Sequence, residues 1–342
     1  SLGKISIKNS ISYKEILEKY NPKKIEFKRV DFDHPLYIMY SSGTTGVPKC
    51  IVHGHGGTLL QHLKEHQLHT NISSGDRVFY FTTCSWMMWN WLVSALATQA
   101  TIMLYDGSPS YPDDTVLWRF ANDEQFTHFG TSAKYIETLM KNNVKPRANF
   151  KLKNLKTICS TGSPLSPESY DFIYKNIGPV HLASISGGTD IVSCFVLGIP
   201  TLPVRRGEIQ GPGLGMAVEI WNDTGKVKRG RRGELVCTKP FPSRPVKFWN
   251  DADRKKYYLA YFDRFKDVWA HGDFAEQTLD SGYIIHGRSD ATLNPGGVRI
   301  GTAEIYRQVD RVDEVLESIV IGQTWENDIR IVLFVKLKEG IN

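Results

Sequence analysis

Residues 40–49 read Tyr-Ser-Ser-Gly-Thr-Thr-Gly-Val-Pro-Lys and form the most distinctive stretch of the sequence. Apolar residues lead into it from Leu36 and follow it at Ile51 and Val52, which predicts a strand, a polar loop and a second strand. Glycines let backbone N–H groups approach an anion, hydroxyls add donors, and lysine adds a mobile positive charge. The stretch therefore predicts a phosphate-binding loop made of Ser41, Ser42, Gly43, Thr44, Thr45, Gly46 and Lys49.

This loop differs from the Walker phosphate loop, in which Gly-Lys-Ser/Thr opens a helix. Here Pro48 precedes Lys49, and Cys50 follows it at the start of a predicted strand. The alternative is a surface turn, because Ser, Thr, Gly and Pro are common turn residues. The density of glycines and hydroxyls favours the phosphate site over a plain turn.

The composition is that of a globular protein. The 342 residues are 41% hydrophobic and 23% charged, which predicts about two or three compact units. The net charge of +6 suits anionic small molecules, and a solvated basic surface explains it better than nucleic-acid binding. The densest basic run, Lys226–Arg232, follows a turn signal and lacks the aromatic residues of a single-strand binder. We therefore expect no nucleic-acid partner.

Cysteine spacing and hydropathy bear on the compartment. Five cysteines lie far apart without a CxxC pair, which favours reduced thiols and a cytoplasmic location. The uncharged run Phe79–Tyr105 raises the question of a membrane span, but polar residues interrupt it. We predict a buried helix at Trp86–Thr98 and a strand at Thr101–Tyr105, with no membrane insertion. Because the chain opens at Ser1, a targeting segment outside it stays an open alternative.

Alternating strand and helix patterns organise the first 199 residues. Strands are predicted at Ile25–Val30 and Leu36–Tyr40, and capping boxes predict helices starting after Ser12 and at Thr58. The alternation that follows predicts an α/β fold with a parallel sheet and covering helices. Polar loops after two later strands, 161–164 and 186–190, lie where such sheets bind ligands. Short strands and frequent turns in 200–286 predict an antiparallel barrel or sandwich.

Five stretches together resemble one superfamily. They are SSGTTGVPK at 41–49, SGGTD at 186–190, WAHGD at 269–273, GRSD at 287–290 and PGGVRIGTAEI at 295–305. Their order and spacing resemble the adenylate-forming enzymes, the superfamily of acyl-CoA synthetases, luciferases and peptide synthetases. The resemblance implies that 1–199 is an N-terminally incomplete part of the large AMP-binding domain and that 200–286 is its β-barrel subdomain. It implies that 287–342 is a hinge and the truncated start of a small C-terminal domain.

The resemblance also implies a reaction. A carboxylate would attack the α-phosphate of ATP, giving an acyl-adenylate and pyrophosphate, and the thiol of coenzyme A would then displace AMP. The substrate supplies the nucleophile, so the protein positions groups and stabilises charge. ATP, Mg²⁺ and coenzyme A are therefore the expected co-substrates and cofactor, and a monomer is expected. The family's C-terminal lysine, in a Ser-Gly-Lys context, has no match in this chain.

The matching positions imply individual roles. Lys49 and the loop around it would hold the β- and γ-phosphates, while Thr189 and Gly188 would contact the α-phosphate. One carboxylate suffices for Mg²⁺ among phosphate oxygens, so Asp190 would carry the metal although the family usually has Glu there. The remaining roles are as follows: Gly162, Ser163 and Pro164 line the adenine, Asp273 and Arg288 bind the ribose, Arg299 meets phosphate, Asp290 is the hinge, and Gly297 lines the coenzyme A tunnel.

Further stretches bear on the acyl substrate. TLLQHLKEHQLHT (58–70), WMMWNWLVSALAT (86–98) and SISGGTDI (184–191) resemble the acetoacetate-activating branch. Acetate-specific relatives have tryptophan at the position of Gly187, so glycine there implies a deeper pocket, with Trp86 and Met87 in its wall. Core packing is the alternative for the tryptophan and methionine residues. The functional alternatives are another short-chain acyl-CoA synthetase, for acetate or butyrate, and an inactive adenylate-binding fragment.

A histidine pattern leaves one more alternative. His62, Glu65 and His66 match the H-x-x-E-H string of a zinc peptidase class, and two histidines four residues apart share a helix face. Nothing else in the sequence suggests a peptidase. A polar helix face is therefore the favoured interpretation over a metal site.

Overall fold

The structure is a computed structural model, and it describes residues 7–41, 48–290, 292–298, 300–309, 312, 314–326 and 328–338. The chain divides into two compact units, Ser1–Asp31 and Phe32–Asn342. In the first unit, helix α1 spans Tyr13–Lys19. The predicted capping box is confirmed, because Ser12 Oγ accepts from the Glu15 N–H and Glu15 Oε2 accepts from the Ser12 N–H at 2.8 Å. The strand predicted at Ile25–Val30 is wrong: the segment is extended but unpaired, and its side chains are exposed.

The predicted phosphate loop lies between two paired strands. Strands β1 (Pro35–Ser41) and β2 (Lys49–Gly54) are antiparallel, and Ser41 lies opposite Lys49 in the ladder. The predicted order of strand, loop and strand is therefore confirmed. Loop residues Ser42, Gly43, Thr44, Thr45 and Gly46 lie outside the described residues.

A five-stranded parallel sheet forms the α/β layer. Its strands are β3 (Arg77–Tyr80), β4 (Thr101–Met103), β5 (His128–Ser132), β6 (Thr157–Thr161) and β7 (His181–Ser184), in the order β4-β3-β5-β6-β7. All four pairings are parallel, which confirms the predicted sheet. Because parallel strands end at the same edge, the loops that start at Thr161 and Ile185 leave that edge as neighbours.

Helices cover this sheet. They are α2 (His55–Lys64), α3 (Met87–Ser94), α4 (Val116–Asp123), α5 (Ala133–Lys141), α6 (Pro146–Asn149) and α7 (Pro167–Asn176). The predicted Thr58 capping box is wrong, because β2 runs directly into α2 and Gly54 is the N-cap. Helix α2 continues as a π-helical turn, Glu65–His69, and α3 continues as a 3₁₀ turn to Thr98. Among the described residues no helix is both long and apolar enough to span a bilayer.

Two packed cores support these layers. One joins the parallel sheet to α4, α5 and α7, and within it Trp118 stacks on Phe129 with ring centroids 4.5 Å apart. A neighbouring core places α3 against β3, so Met88, Trp91 and Leu92 are buried. This confirms that the uncharged run contains a buried helix.

A short antiparallel sheet carries the SGGTD stretch. Its strands are β8 (Ser186–Gly188), β9 (Ser193–Leu197) and β10 (Gly211–Pro212), in the order β10-β9-β8. The turn 189–192 joins β8 to β9 and contains two of the predicted site residues, Thr189 and Asp190.

The next part of the chain is antiparallel, as predicted. It contains β11 (Val218–Asn222), β12 (Gly225–Lys226), β13 (Arg232–Cys237), β14 (Lys247–Phe248), helix α8 (Lys255–Tyr261), β15 (Trp269–Gln277) and β16 (Tyr283–Arg288). Five strands form a sheet in the order β12-β11-β13-β15-β16, and no pairing between β12 and β16 closes it within the described residues. Strand β14 pairs with β2 instead, so this segment also completes the sheet beside the phosphate loop.

The C-terminal part forms two hairpin-like pairs and one helix. These elements are β17 (Thr292–Leu293), β18 (Ile300–Gly301), α9 (Thr302–Val309), β19 (Val315–Trp325) and β20 (Asp328–Leu337). Asp328 accepts from the Gly296 N–H at 2.9 Å and lies 3.1 Å from Lys134 Nζ, which joins this part to α5. The boundaries predicted at residues 199 and 286 stay predictions.

Candidate functional site

Three residues from distant parts of the chain meet at one carboxylate, and we call them the phosphate cluster: Lys49, Asp190 and Tyr261. Lys49 Nζ forms an ion pair with Asp190 Oδ1, and the Tyr261 hydroxyl donates to the same oxygen at 2.7 Å. The ammonium also lies 5.1 Å from the centre of the Tyr261 ring. Asp190 is completely buried, so these contacts offset the cost of removing its charge from water.

Each member of the phosphate cluster is held by a different element. Lys49 opens β2, so the β1–β2 ladder fixes its backbone. Tyr261 ends α8 and stacks on Trp269, with ring centroids 3.7 Å apart. Asp190 lies in the turn between β8 and β9, where the Thr189 carbonyl is 3.0 Å from His53 Nε2. Because a carbonyl only accepts, Nε2 carries the proton, and burial lowers the pKa of His53 to about 4.

A second group lies on one hairpin, and we call it the ribose cluster: His271, Asp273, Arg288 and Asp290. Asp273 on β15 lies opposite Arg288 on β16, and Arg288 Nη1 donates to Asp273 Oδ1 at 2.7 Å. The same guanidinium donates to Asp290 through Nε at 3.1 Å and through Nη2. It also donates to the His271 carbonyl at 3.0 Å. The planar fork of arginine thus holds three acceptors in place.

Electrostatics reinforce the ribose cluster. Burial acts against the charge of Arg288, but the carboxylates of Asp273 and Asp290 outweigh it and raise the pKa of Arg288. Glu234 on β13 accepts from the Gly272 N–H at 2.8 Å and from the Ser289 hydroxyl. Burial raises the pKa of Glu234, although those donors and Arg264 act in the opposite direction. Glu234 therefore joins β13 to β15 and to the residue that follows β16, within the same sheet.

The predicted adenine loop meets the predicted tunnel glycine. Gly162 has a φ of +96°, which favours glycine, and its carbonyl accepts from Asn294 Nδ2 at 3.0 Å. A Cβ on Gly297 would lie 3.0 Å from the Gly162 carbonyl carbon, so the two backbones touch. Ser163 and Pro164 follow at the same loop, half-buried and exposed respectively. Arg299 lies outside the described residues.

The predicted acyl-pocket residues differ in their surroundings. A Cβ on Gly187 would lie 2.0 Å from the Ser193 carbonyl oxygen, because β8 packs against β9 there. A Cβ on Gly188 would instead lie 3.3 Å from His271 Nε2, which is a tight contact with a side chain. Trp86 is 45% exposed at the start of α3, and Met87 packs half-buried beside it on the helix core. Gly188 is thus the position from which a side chain would point towards the ribose cluster.

The H-x-x-E-H residues form a buried network, not a polar face. His62, Glu65 and His66 are all 0% exposed, so the favoured interpretation of a polar helix face is wrong. Their partners are hydroxyl, amide and indole groups and carbonyls. Among the described residues no group of three or more His, Cys, Asp or Glu side chains could hold a metal ion. The metal alternative therefore finds no support.

Sequence reasoning missed several residues of the site. Tyr261, His53, His271 and Glu234 all contact predicted residues and none was singled out. Tyr261 and His53 are far from Asp190 in sequence, so only the fold brings them together. A usable signal existed for Glu234 alone, since a carboxylate in an apolar strand, GELVC, needs buried donors.

The basic run Lys226–Arg232 contributes to a groove that contains none of the predicted site residues. Lys228, Arg231 and Arg232 line a groove of about 660 Å³ together with Asn222, Val227, Gly230 and Glu276. None of these residues belongs to the predicted site. The five cysteines are all free thiols.

Comparison with known proteins identifies the family. The sequence profile of the AMP-binding enzyme family matches residues 4–244, which include the phosphate loop and both Thr189 and Asp190. The chain belongs to the AMP-binding enzyme family. The resemblance in the five stretches is therefore confirmed, and the α/β fold with added antiparallel sheets is that of the adenylate-forming enzymes.

Members of this AMP-binding family that are similar to the chain carry one activity in their names. An acetoacetyl-coenzyme A synthetase of Rhizobium meliloti (strain 1021) is 61% identical over 337 residues, 98% of this chain and 52% of that protein. The acetoacetyl-CoA synthetase of Gallus gallus is 54% identical over 92% of this chain. A structure of the Streptomyces lividans acetoacetyl-CoA synthetase superposes with a TM-score of 0.78 at 44% identity, covering 96% of this chain and 50% of that one. The chain spans about half the length of the curated relatives it matches.

Proposed function

We propose that the protein containing this chain is an acid–thiol ligase that activates acetoacetate with ATP and transfers it to coenzyme A. The observation that carries the proposal is the phosphate cluster, in which Lys49 from the start of β2 and Tyr261 from α8 meet the buried Asp190 of the SGGTD turn. Similarity to acetoacetyl-CoA synthetases over 98% of the chain supports the same activity.

The two steps need no protein nucleophile. In the first, a carboxylate oxygen of acetoacetate forms a bond to the α-phosphorus of ATP. The bond from that phosphorus to the bridging oxygen breaks, and pyrophosphate leaves. In the second, the sulfur of coenzyme A bonds to the acyl carbon, the carbon–oxygen bond to AMP breaks, and the thiol proton is released. Negative charge moves between phosphates throughout, so placed cations and donors supply the catalysis.

Lys49 and Thr189 are suited to that charge. Lys49 emerges from β2 at the end of the phosphate loop, where its ammonium reaches the β- and γ-phosphates of a nucleotide held by the loop. Thr189 is half-buried beside Asp190, and its hydroxyl is the nearest donor on that turn for the α-phosphate. The contributions proposed for Thr44, Thr45, Gly46 and Arg299 concern residues outside the described ones.

Asp190 is the carboxylate proposed to hold a magnesium ion. Because it faces the Lys49 ammonium in this structure, the ion would share the carboxylate with Lys49. Mg²⁺ keeps several waters and binds through one or two carboxylates together with substrate phosphates. Asp190 would hold the ion, which would neutralise phosphate charge during the first step.

The ribose cluster and the glycine contact complete the proposal. Asp273 is proposed to accept from the ribose hydroxyls, with Arg288 holding its carboxylate in place and reaching the same sugar. The loop Gly162, Ser163 and Pro164 is proposed to line the adenine. Gly297, whose backbone touches that loop in this structure, is proposed to line the coenzyme A tunnel. Asp290, paired with Arg288, is proposed as the hinge.

The choice of acid is the finer part of the proposal. The absence of a side chain at Gly187 and Gly188 is proposed to leave room for a four-carbon acid, and Trp86 and Met87 are proposed to contribute to the wall. Acetate or butyrate are the alternatives within the same chemistry. The five free thiols fit a reducing compartment, and we propose a cytoplasmic monomer.

Acid-dependent ATP–pyrophosphate exchange tests the function. The exchange rate of the native protein that contains this chain is measured with acetate, with butyrate and with acetoacetate under the same conditions. We expect acetoacetate to give the highest kcat/KM, by about tenfold or more, since one or two small groups in a pocket discriminate by that much. A preference for acetate overturns the substrate, and no exchange with any of these acids overturns the ligase.

The two glycines sharpen the substrate test. Gly188→Ala is expected to lower kcat/KM for acetoacetate more than for acetate, with a small change in thermal stability, because its Cβ meets only the flexible side of His271. Gly187→Ala is expected to cost about 1–3 kcal/mol of unfolding free energy, because its Cβ overlaps the β9 backbone. Thermal denaturation and the exchange assay separate the two. A stable Gly187→Ala variant that shifts the acid preference would contradict this assignment.

A further inference from the structure

The π-helical turn after α2 contains a buried carboxyl group that contacts the SGGTD sheet. Glu65 is 0% exposed, and its Oε1 accepts from Gln61 Nε2 at 3.1 Å, from the Ser193 hydroxyl and from the Cys194 N–H at 3.3 Å. Its Oε2 accepts from Trp91 Nε1 at 3.0 Å. Four donors on one buried carboxyl group offset its desolvation and fix its position. Ser193 and Cys194 are the first residues of β9.

His62, one turn earlier, contacts the residue before β9. Its Nε2 lies 2.6 Å from the Val192 carbonyl oxygen, and its Nδ1 lies 2.8 Å from Ser94 Oγ. The Nε2 atom carries the proton, because the carbonyl can only accept. Burial lowers the pKa of His62, which keeps the ring neutral near pH 7.

The backbone that these side chains hold is strained. Val192 is fully buried and has a φ of +48°, a conformation that costs a β-branched residue about 1–3 kcal/mol. Such strain persists only where neighbours over-determine the geometry. Here the Val192 carbonyl is held by His62, the Ser193 hydroxyl by Glu65, and the Thr189 carbonyl by His53. Asp190 lies between these attachment points.

We propose that His62 and Glu65 are positioning residues that hold the strained end of the 189–192 turn and so present the Asp190 carboxylate to the metal–phosphate group. They touch no substrate and act through Val192 and Ser193. The inference deepens the proposed function and rests on it.

The test measures the Mg²⁺ concentration that gives half-maximal pyrophosphate exchange at saturating ATP and acid, using the native protein. His62→Leu and Glu65→Gln are expected to raise that concentration about tenfold to a hundredfold, as for other residues that orient a metal ligand. Ser193→Ala removes one of the bonds that join Glu65 to β9 and the acceptor for Gln61 Nε2, while the Cys194 N–H bond stays. In this milder variant the Mg²⁺ concentration for half-maximal exchange is expected to rise about threefold to tenfold. Adenosine affinity, which reports the ribose cluster, is expected to stay within about twofold of wild type.

His69→Gln is the matched control. His69 is buried in the same π-helical turn, but it contacts the Gly198 carbonyl at 2.8 Å and the Leu214 N–H at 3.0 Å, both on the far side of β9. The control is expected to lower thermal stability without moving the Mg²⁺ requirement.

The outcomes separate the inference from the function. If the wild-type protein shows no exchange, the proposed function fails. If it is active and the three variants lose stability with an unchanged Mg²⁺ requirement, like His69→Gln, the positioning role is wrong. Where His62→Leu or Glu65→Gln fails to fold, Ser193→Ala decides, because deleting one hydroxyl leaves the core filled.

Discussion

The phosphate cluster and the ribose cluster contain the same kind of ion pair, but its members lie at very different distances along the chain. Both place a cation against a buried carboxylate. The ribose cluster is local: Asp273 and Arg288 face each other across one hairpin, and fifteen residues separate them. The phosphate cluster is non-local: Lys49 and Asp190 are separated by 141 residues, and Tyr261 comes from a third element.

This difference determines which substitutions would change the geometry of each cluster. A hairpin register fixes the ribose cluster, so its geometry survives changes elsewhere in the fold. The phosphate cluster exists only while β2, the 189–192 turn and α8 keep their relative positions. Its geometry therefore depends on packing between distant parts of the chain, and the substitutions below test that contrast.

The largest effect is expected from Asp190→Asn. The amide keeps the size of the side chain but removes the charge that faces Lys49, so pyrophosphate exchange is expected to fall about 10²- to 10³-fold. Adenosine affinity, measured by calorimetry, is expected to change little because the ribose cluster is intact. Asp113→Asn, at an exposed ion pair with Arg119, is the control. Equal losses of exchange and adenosine binding would show that the two clusters are not independent.

Arg288→Lys tests the ribose cluster. A lysine cannot bridge Asp273, Asp290 and the His271 carbonyl at once, so adenosine affinity is expected to fall about tenfold to a hundredfold. The same calorimetric titration measures it. Arg206→Lys, at exposed pairs with Glu168 and Asp171, should behave like wild type. Unchanged adenosine affinity in Arg288→Lys would contradict the proposal that Asp273 and Arg288 bind the ribose.

Tyr261→Phe tests the residue that only the fold revealed. The hydroxyl bond to Asp190 is lost while the stacking on Trp269 stays, so exchange is expected to fall about tenfold. Tyr257→Phe is the matched control, since Tyr257 lies in the same helix and its buried hydroxyl has no hydrogen-bond partner among the described residues. Equal activities in the two variants would exclude a role for the Tyr261 hydroxyl.

The smallest effect concerns pH. Burial lowers the pKa of His53 to about 4 from 6.5, so below pH 6.5 the unfolded chain binds a proton that the folded chain does not. Stability contributed by His53 is therefore present above pH 6.5 and is lost as the pH falls towards 4. Between pH 7 and 5.5 this amounts to about 1 kcal/mol of unfolding free energy.

Denaturant titrations at the two pH values measure that loss. His53→Gln, which keeps an N–H donor for the Thr189 carbonyl, is expected to reduce the loss of stability between the two pH values by the amount that His53 contributes. Exposed His34→Gln is expected to leave that loss unchanged. An identical slope in His53→Gln and wild type would show that His53 is not the titrating group.

The sequence predicted features whose residues lie close together along the chain. It did not predict contacts between residues that only the fold brings together. The strand–loop–strand at 35–54, the parallel sheet and the AMP-binding family were all predicted, because periodicity and motif order are written along the chain. The strand at Ile25–Val30 was wrong, since an apolar alternation cannot show whether a partner strand exists. Tyr261 and His53 were missed, because no local pattern reveals which donors a buried carboxylate and a strained turn will meet.

The histidine string shows the same limit from another direction. The spacing of His62, Glu65 and His66 was compatible with a metal site or with a polar helix face. In the structure these three side chains are buried, and among the described residues no group of three or more His, Cys, Asp or Glu side chains could hold a metal ion. Helix α2 continues as a π-helical turn, Glu65–His69, and a one-residue change of helical register is not visible in spacing that assumes 3.6 residues per turn.

The contact between Gly187 and the Ser193 carbonyl has a consequence for how this family could change substrates. A side chain at 187 cannot be added alone, because β9 must first move away, and Glu65 holds Ser193 in place. A larger residue at position 187 would therefore require at least two substitutions, the first of them in the residues that hold β9. Position 188 offers a single-step route, so a library that varies 188 alone would sample smaller pockets with less loss of folded protein.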